Sequence, residues 1–517
     1  MQKSALKRRF QGKRLSTALL IALLAMLFVS VAALAGWTTI NTDDDTIDPN
    51  WASVTPTYTD ASNDAGINDK DEIKVAKYVF DGDAIYFFME SWDATDILSN
   101  DDMRAIAALD CNNNGTFDDP DIYENGKLVS KGDRLIVRYN YDQVIMYDGG
   151  GSNSIAGDPT WGDPGDNNAG GSGGAWQNPQ TEWKVPLKNL YPECRGIRSP
   201  VPLAFSIVEV TSSSSTVISQ SDGSYQIDNP MDFGDAKNVI TWYWGSPTCH
   251  DYPTKITCDG PRHGISGLKL GDIIDADSGE LANDAAQADD SHYDNAPNDE
   301  EGIAPTAAFT WAAGGAGSLD VTVSGGDGYL NCWIDWDRSE TFETDEHLVD
   351  DQALAAGAHT LSVNVPADVT FDGSYTARCR LAPNAGEGNT PANPVWGGEV
   401  EDHDWLIQPV TPAISISGND VQLSWTHLVQ NDDEQAFKSA SPYFDVAGAT
   451  AVGTANATGS ATDAGVVGAP TDVIFYKVVG HKTIVDSEDD TVSYTLTSTP
   501  SKELGLFEFD LVPGSSS

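Results

Sequence analysis

The chain predicts a mainly β protein, three tandem β-sandwich-like domains following a signal peptide. Short apolar or alternating segments, such as Ala84-Ile85-Tyr86-Phe87-Phe88 and Leu135-Ile136-Val137-Arg138-Tyr139, are separated by Gly/Asn/Asp clusters, the pattern of strands and turns. Long helical periodicity is absent beyond the leader. The roughly 480 residues that remain after the leader suffice for three ordinary domains.

Met1–Arg14 carries six basic and no acidic residues, an apolar run spans Ala18 to Leu34, and Ala33-Leu34-Ala35 is a small-x-small site before Gly36. Residues 1–35 therefore read as a secretory signal peptide, with an uncleaved N-terminal anchor as the alternative because the apolar run approaches spanning length. No second such run exists, so no membrane span is expected after cleavage, and no sorting signal follows Leu511-Val512-Pro513-Gly514. With the six leader charges removed, the formal charge of −49 becomes −55. Such a surface repels nucleic acid and anionic membrane. Its counter-ions are either divalent cations or simply the salt of an exterior in which charge confers solubility.

The six cysteines fall in three sequential pairs, Cys111/Cys194, Cys249/Cys258 and Cys332/Cys379. No spacing matches a zinc site, and an even count in an exported chain reads as disulfides, with connectivity left open.

Four motifs stand in order along the middle of the chain. They are Asp232-Phe233-Gly234-Asp235-Ala236, Gly260-Pro261-Arg262-His263-Gly264, Asn331-Cys332-Trp333-Ile334-Asp335-Trp336-Asp337 and Gly398-Glu399-Val400-Glu401-Asp402. Together they resemble the GEVED domain of secreted, modular bacterial proteins, over residues 232–409. The resemblance implies a β-rich accessory module that displays or binds rather than catalyses. Cysteines at 332 and 379 are not part of that family's usual pattern and read as an added cross-link.

Residues 36–231 are similar to the DOMON-like sandwiches that include family 9 carbohydrate-binding modules, from Asp81–Glu90 and the segments beginning at Glu182 and Pro202. Gly149–Gly174 reads as a mobile Gly/Asn/Asp/Ser insertion. Val421–Thr426 and Phe475–Val479 resemble strands of a fibronectin type III-like sandwich within residues 410–517. Between the motifs, residues 272–301 hold eleven acids and no Lys or Arg. They read as an extended loop whose acids stay solvated or coordinate cations.

Two segments have calcium-loop spacing, in which oxygen ligands alternate around a sharp turn to supply six to eight hard donors. In the first, Asp110, Asn112 and Asn114 hold positions 1, 3 and 5, Gly115 the turn, Thr116 position 7 through its carbonyl, and Asp118 and Asp121 positions 9 and 12; a plain Asn/Gly turn is the alternative. In the second, Asp335, Asp337 and Ser339 hold positions 1, 3 and 5, Glu343 position 9 and Glu346 position 12. There Glu340 replaces the turn glycine and Arg338 brings a positive charge, which weakens the match. Glu399, Glu401 and Asp402 either complete a cation site or face solvent.

Sugar rings bind by stacking on aromatic faces beside orienting polar groups. Trp92, Trp161 and Trp176 are the candidate contacts, with Trp242, Tyr243 and Trp244 also in polar context; Trp51, Trp183, Trp333 and Trp425 read as core. Haem held by a Met/His pair, found in some DOMON-like relatives, is excluded because residues 36–249 contain Met89, Met103, Met146 and Met231 but no histidine. Gly170-Gly171-Ser172-Gly173-Gly174 matches G-x-S-x-G without its strand–turn–helix context. The expectation is a secreted, calcium-stabilised, non-catalytic protein binding carbohydrate or a surface polymer, the alternative being a structural or adhesive surface protein without a small ligand.

Overall fold

In the strand Ala84–Ser91 almost every residue is buried, because both of its faces are covered. One face carries Ile85, Phe87 and Met89 into the core, where Phe87 stacks on Trp183 at 5.4 Å and meets Phe205 edge-on. On the other, Ala84, Tyr86 and Phe88 pack under Ile40 and Trp51 of the N-terminal segment. The computed structural model describes residues 37–42, 47–60, 73–92, 103–110, 122–124, 127–130, 134–139, 143–148, 173–177, 180–188, 201–210, 215–220, 225–227, 231–243, 246–277, 279–288, 299–467, 473–487 and 492–506. The leader, Cys111, Cys194 and Trp161 lie outside them. The last two glycines of the expected insertion belong to the strand Gly173–Gln177.

The first sandwich faces a sheet ordered Tyr58–Thr59, Ile73–Phe80, Ala84–Ser91, Gln180–Pro186, Gly173–Gln177 against one ordered Ser215–Gln220, Val201–Val210, Met103–Leu109, Arg134–Tyr139, Gln143–Asp148. Its apolar core continues through Met231 and Phe233 to Ile256, across the expected boundary at 231/232. The middle of the chain packs the sheet His347–Leu354, Gly328–Ile334, Tyr375–Ala382, Glu399–Trp405 on a sheet centred on Ala316–Ser324. Leu319, Val321 and Val323 meet Leu330, Ile334, Ala377 and Leu381 between them. Cys332 and Cys379 are Cα partners on adjacent strands and are bonded, as are Cys249 and Cys258.

A small sheet of Met231–Phe233, Arg262–Gly264 and Pro394–Trp396 closes this unit, its last pair parallel. The C-terminal sandwich sets Ala413–Ser417, Asp420–Ser424 and Ser460–Asp463 against Thr450–Asn456, Asp433–Ser439, Ile474–Val485 and Ser493–Thr497. Trp51, Trp183, Trp333 and Trp425 are buried. Among the described residues no helix is long and apolar enough to cross a membrane.

Gly398 has φ +85°, and a Cβ there would lie 1.7 Å from the Leu381 carbonyl oxygen. Both strain and backbone overlap oppose any side chain at that position. Gly398→Ala is expected to destabilise the middle unit by more than about 2 kcal/mol, read as a lowered denaturation midpoint. An unchanged midpoint would mean the turn relaxes freely.

Candidate cation loop and the acids around it

Asp335 sits at the end of the strand Gly328–Ile334, where the chain leaves the sheet, and is fully buried. One of its oxygens accepts the Ser339 amide at 3.1 Å; the other accepts the Glu340 amide at 2.9 Å and the Tyr252 hydroxyl at 2.5 Å. These bonds curl residues 335–340 into a tight loop. Arg338 and Glu340 both take positive φ, 58° and 64°. Glu340 thus adopts the conformation that glycine supplies at position 6 of a calcium loop, and its carboxylate is held by the Lys237 ammonium at 2.9 Å. Arg338 turns away from the loop centre to pair with Asp372 at 2.8 Å.

Of the five expected ligands, Asp335, Asp337 and Glu346 converge, each offering a carboxylate oxygen within 4.8 Å of the others. Glu346 closes the loop by accepting the Trp336 amide at 2.6 Å and the Glu343 amide at 3.1 Å. Burial raises the pKa of Asp335, and burial pushes Glu346 up to about 8. Ser339 and Glu343 bond to each other at the exposed rim, and Glu343 is not in the converging group. Of the first calcium loop, Asp110 is buried, while Asn112, Asn114, Thr116, Asp118 and Asp121 lie outside the described residues. Trp92 is half-buried with the Lys74 ammonium 5.3 Å from its ring centre. Trp176 lies in the strand Gly173–Gln177, and its side chain is outside the described set.

The Glu399-Val400-Glu401-Asp402 acids neither face solvent nor join that cation group. All three are buried because each accepts hydrogen bonds inside the fold. Glu399 accepts the Leu270 amide, Glu401 the Gly302 amide at 2.8 Å, and Asp402 the Ala236 amide at 2.9 Å. Both Asp402 oxygens also take the Arg378 guanidinium at 2.7 Å. Asp232 returns the bond by accepting the Val400 amide at 2.7 Å. Gly234 is required because a Cβ would come 2.3 Å from an Asp402 oxygen.

Among the described residues of 272–301, several acids accept backbone amides, with Asp277 buried and Glu301 exposed. Asp277 accepts the Phe233 amide at 3.2 Å, Glu280 the Thr257 amide at 3.3 Å and Glu301 the Asp272 amide at 2.6 Å. Each gives a backbone amide an acceptor outside any sheet ladder. In a second group, Glu300, Glu401 and His403, the imidazole Nε2 lies 3.3 Å from Glu401 and 3.8 Å from Glu300.

Residues 329–405 match the family model of the GEVED domain. Comparison with curated proteins finds no match. Among solved structures, the chain is similar to chicken CNTN1 FN1-FN3 domains at 9% identity over 84% of this chain and 98% of that one, with a TM-score of 0.19. It is similar to a marsupial T cell receptor at 9% identity over 81% and 96%, TM-score 0.19. It is also similar to the BSP domain of a biofilm associated protein at 11% identity over 87% and 68%, TM-score 0.16. Superposition at that level assigns no function.

Asp299 yields a pH prediction. Burial first, then the neighbouring Asp275 carboxylate, raises its pKa to about 7, against about 3.9 in an unfolded chain. Its contribution to stability is therefore complete below about pH 4 and is lost as pH rises through about 7. Asp299→Asn keeps an acceptor for the Asp275 amide and cannot ionise. The variant should gain on the order of 2 kcal/mol relative to the parent between pH 5 and pH 8. Parallel stability–pH curves for the two proteins would refute the assignment.

Proposed function

We propose that this chain is an exported, non-catalytic binding protein whose loop at residues 335–346 holds a structural calcium ion, and whose sandwich domains engage carbohydrate or a surface polymer. The observation that carries the calcium part is the convergence of Asp335, Asp337 and Glu346, loop positions 1, 3 and 12, around a turn with positive φ at position 6. Calcium prefers such hard oxygen sets, and the Thr341 carbonyl stands at position 7 of the same register. The ion's role there would be to offset the repulsion of carboxylates held together in a partly buried loop. Export is supported by two disulfides among the described residues, bonds that persist in oxidising compartments. The formal charge of −49 speaks against nucleic acid as a partner.

An adhesive or structural role without a small ligand is the second reading. It is favoured by the apolar contacts that join Ala285 and Leu406 to Tyr494 and Leu496 of the last sandwich, which would transmit load along the chain.

Calcium at a hundredfold excess over its Kd should stabilise the protein by about 2.7 kcal/mol. Asp337 is exposed, so Asp337→Asn should leave the melting temperature in EDTA nearly unchanged while reducing the calcium-induced rise. Superimposable melting curves of the parent protein in calcium and in EDTA would remove the cation from this account. The ligand part is tested on a glycan array probed with residues 36–517 in calcium. Reproducible hits are expected, and a blank array would favour the adhesive reading.

A further inference from the structure

Where the N-terminal segment crosses the GEVED unit, a cleft of about 300 Å³ opens between Trp37 and Asp81 on one side and residues 386–396 on the other. Its size is at the lower end of small-ligand sites. Two half-buried indoles line it, Trp37 and Trp396, in edge contact at 5.4 Å. Each ring lies against a glycine. A Cβ at Gly82 would come 2.3 Å from the Trp37 ring, and one at Gly264 would come 2.4 Å from the Trp396 ring. The two glycines therefore let both indoles lie directly on backbone.

The opposite wall is held from behind. Arg380, fully buried, donates to the carbonyls of Thr390 at 2.8 Å and Asn393 at 2.7 Å, and to that of Ala392, while its Nε donates to His263 at 3.0 Å. Arg378 donates to the Pro391 carbonyl at 2.8 Å. A wall fixed in this way loses little entropy when a ligand binds. Its rim presents Glu387, Asn389 and Asn393. Asn389 is exposed, and its side chain makes no hydrogen bond among the described residues.

We propose that this cleft is a saccharide-binding site, taking one ring of a neutral sugar chain against Trp37 and Trp396 while Asn389, Asn393 and Glu387 bond its hydroxyls. Indole faces beside amide and carboxylate groups are the chemistry that recognises a sugar's apolar ring faces and equatorial hydroxyls. Asp81 and Glu387 on the lining, and guanidinium N–H groups already spent on carbonyls, select against uronates and sulfated sugars. The inference rests on the carbohydrate reading above and moves its site from Trp92, Trp161 and Trp176 to the junction of the first two units.

The experiment uses the full mature chain on an array of neutral and anionic oligosaccharides, followed by titration with the neutral oligosaccharide that binds best. Trp396→Ala should weaken that binding roughly tenfold or more, the value of one large apolar contact. Asn389→Ala should weaken it several-fold at an unchanged melting temperature, which keeps the test decisive even where Trp396→Ala disturbs folding. Neutral-sugar binding that survives Asn389→Ala, and survives Trp396→Ala in folded protein, overturns the cleft and leaves the carbohydrate reading standing. Hits confined to anionic sugars also overturn the cleft. A blank array overturns both.

Discussion

Two arginines with no exposed surface, Arg378 and Arg380, are the constraint on which the middle of the molecule depends. Withdrawing a guanidinium from water costs several kcal/mol, and the charge is tolerated only where its donors are satisfied. Arg378 meets that condition with the Asp402 carboxylate, the Pro253 and Pro391 carbonyls and the Thr254 hydroxyl. Arg380 meets it with His263 and three carbonyls of residues 390–393. The desolvated His263 ring, beside that positive charge, has its pKa driven well below the usual imidazole range, so it stays neutral and accepts the Arg380 N–H. One polar network thus ties together the closing strand, two upstream motifs and the loop that walls the cleft.

Around that network the chain uses one device repeatedly: a buried carboxylate that accepts N–H groups from a distant segment. Glu399, Glu401, Asp402 and Asp232 do so in the middle of the chain. Glu182 does so in the first sandwich, taking the Trp51 indole at 2.7 Å and the Asp48 amide at 3.1 Å. Glu434 plays the same part locally in the last, taking the Trp425 indole at 3.1 Å and the Leu428 amide at 3.1 Å from the loop just before its own strand. Part of the large acidic excess is therefore internal structure rather than surface charge. Each such acid fixes a particular register, because an amide left without its acceptor in the interior costs more than a lost contact.

Strand alternation and the motif order make the β class and the GEVED match at residues 329–405 legible from residue types alone, because both are local patterns. The convergence of Asp335, Asp337 and Glu346 was legible for the same reason: one short loop carries all three. What local pattern could not reveal was the role of the remaining acids. A run such as residues 272–301 has the same composition whether it is solvated or capping backbone amides. The deciding partners are remote: Asp232 bonds to residue 400, and Asp402 to residue 236. The pairing of Trp37 with Trp396 is equally remote, since they meet only where the N-terminal segment crosses the middle of the chain; Gly82 and Gly264 are its one local trace, because a Cβ at either would collide with a ring.

The most direct test of this account is amide hydrogen exchange at Ala236, Leu270, Gly302 and Val400, the donors to the buried acids, compared with amides of the strand Gly328–Ile334. If the carboxylate network holds the unit together, those four amides should exchange only through the same global opening as the core strand, with equal opening free energies. Exchange of the four through a separate, lower-energy opening, while the core strand stays protected, would contradict it. The acids would then be decoration on a fold held by its apolar core alone.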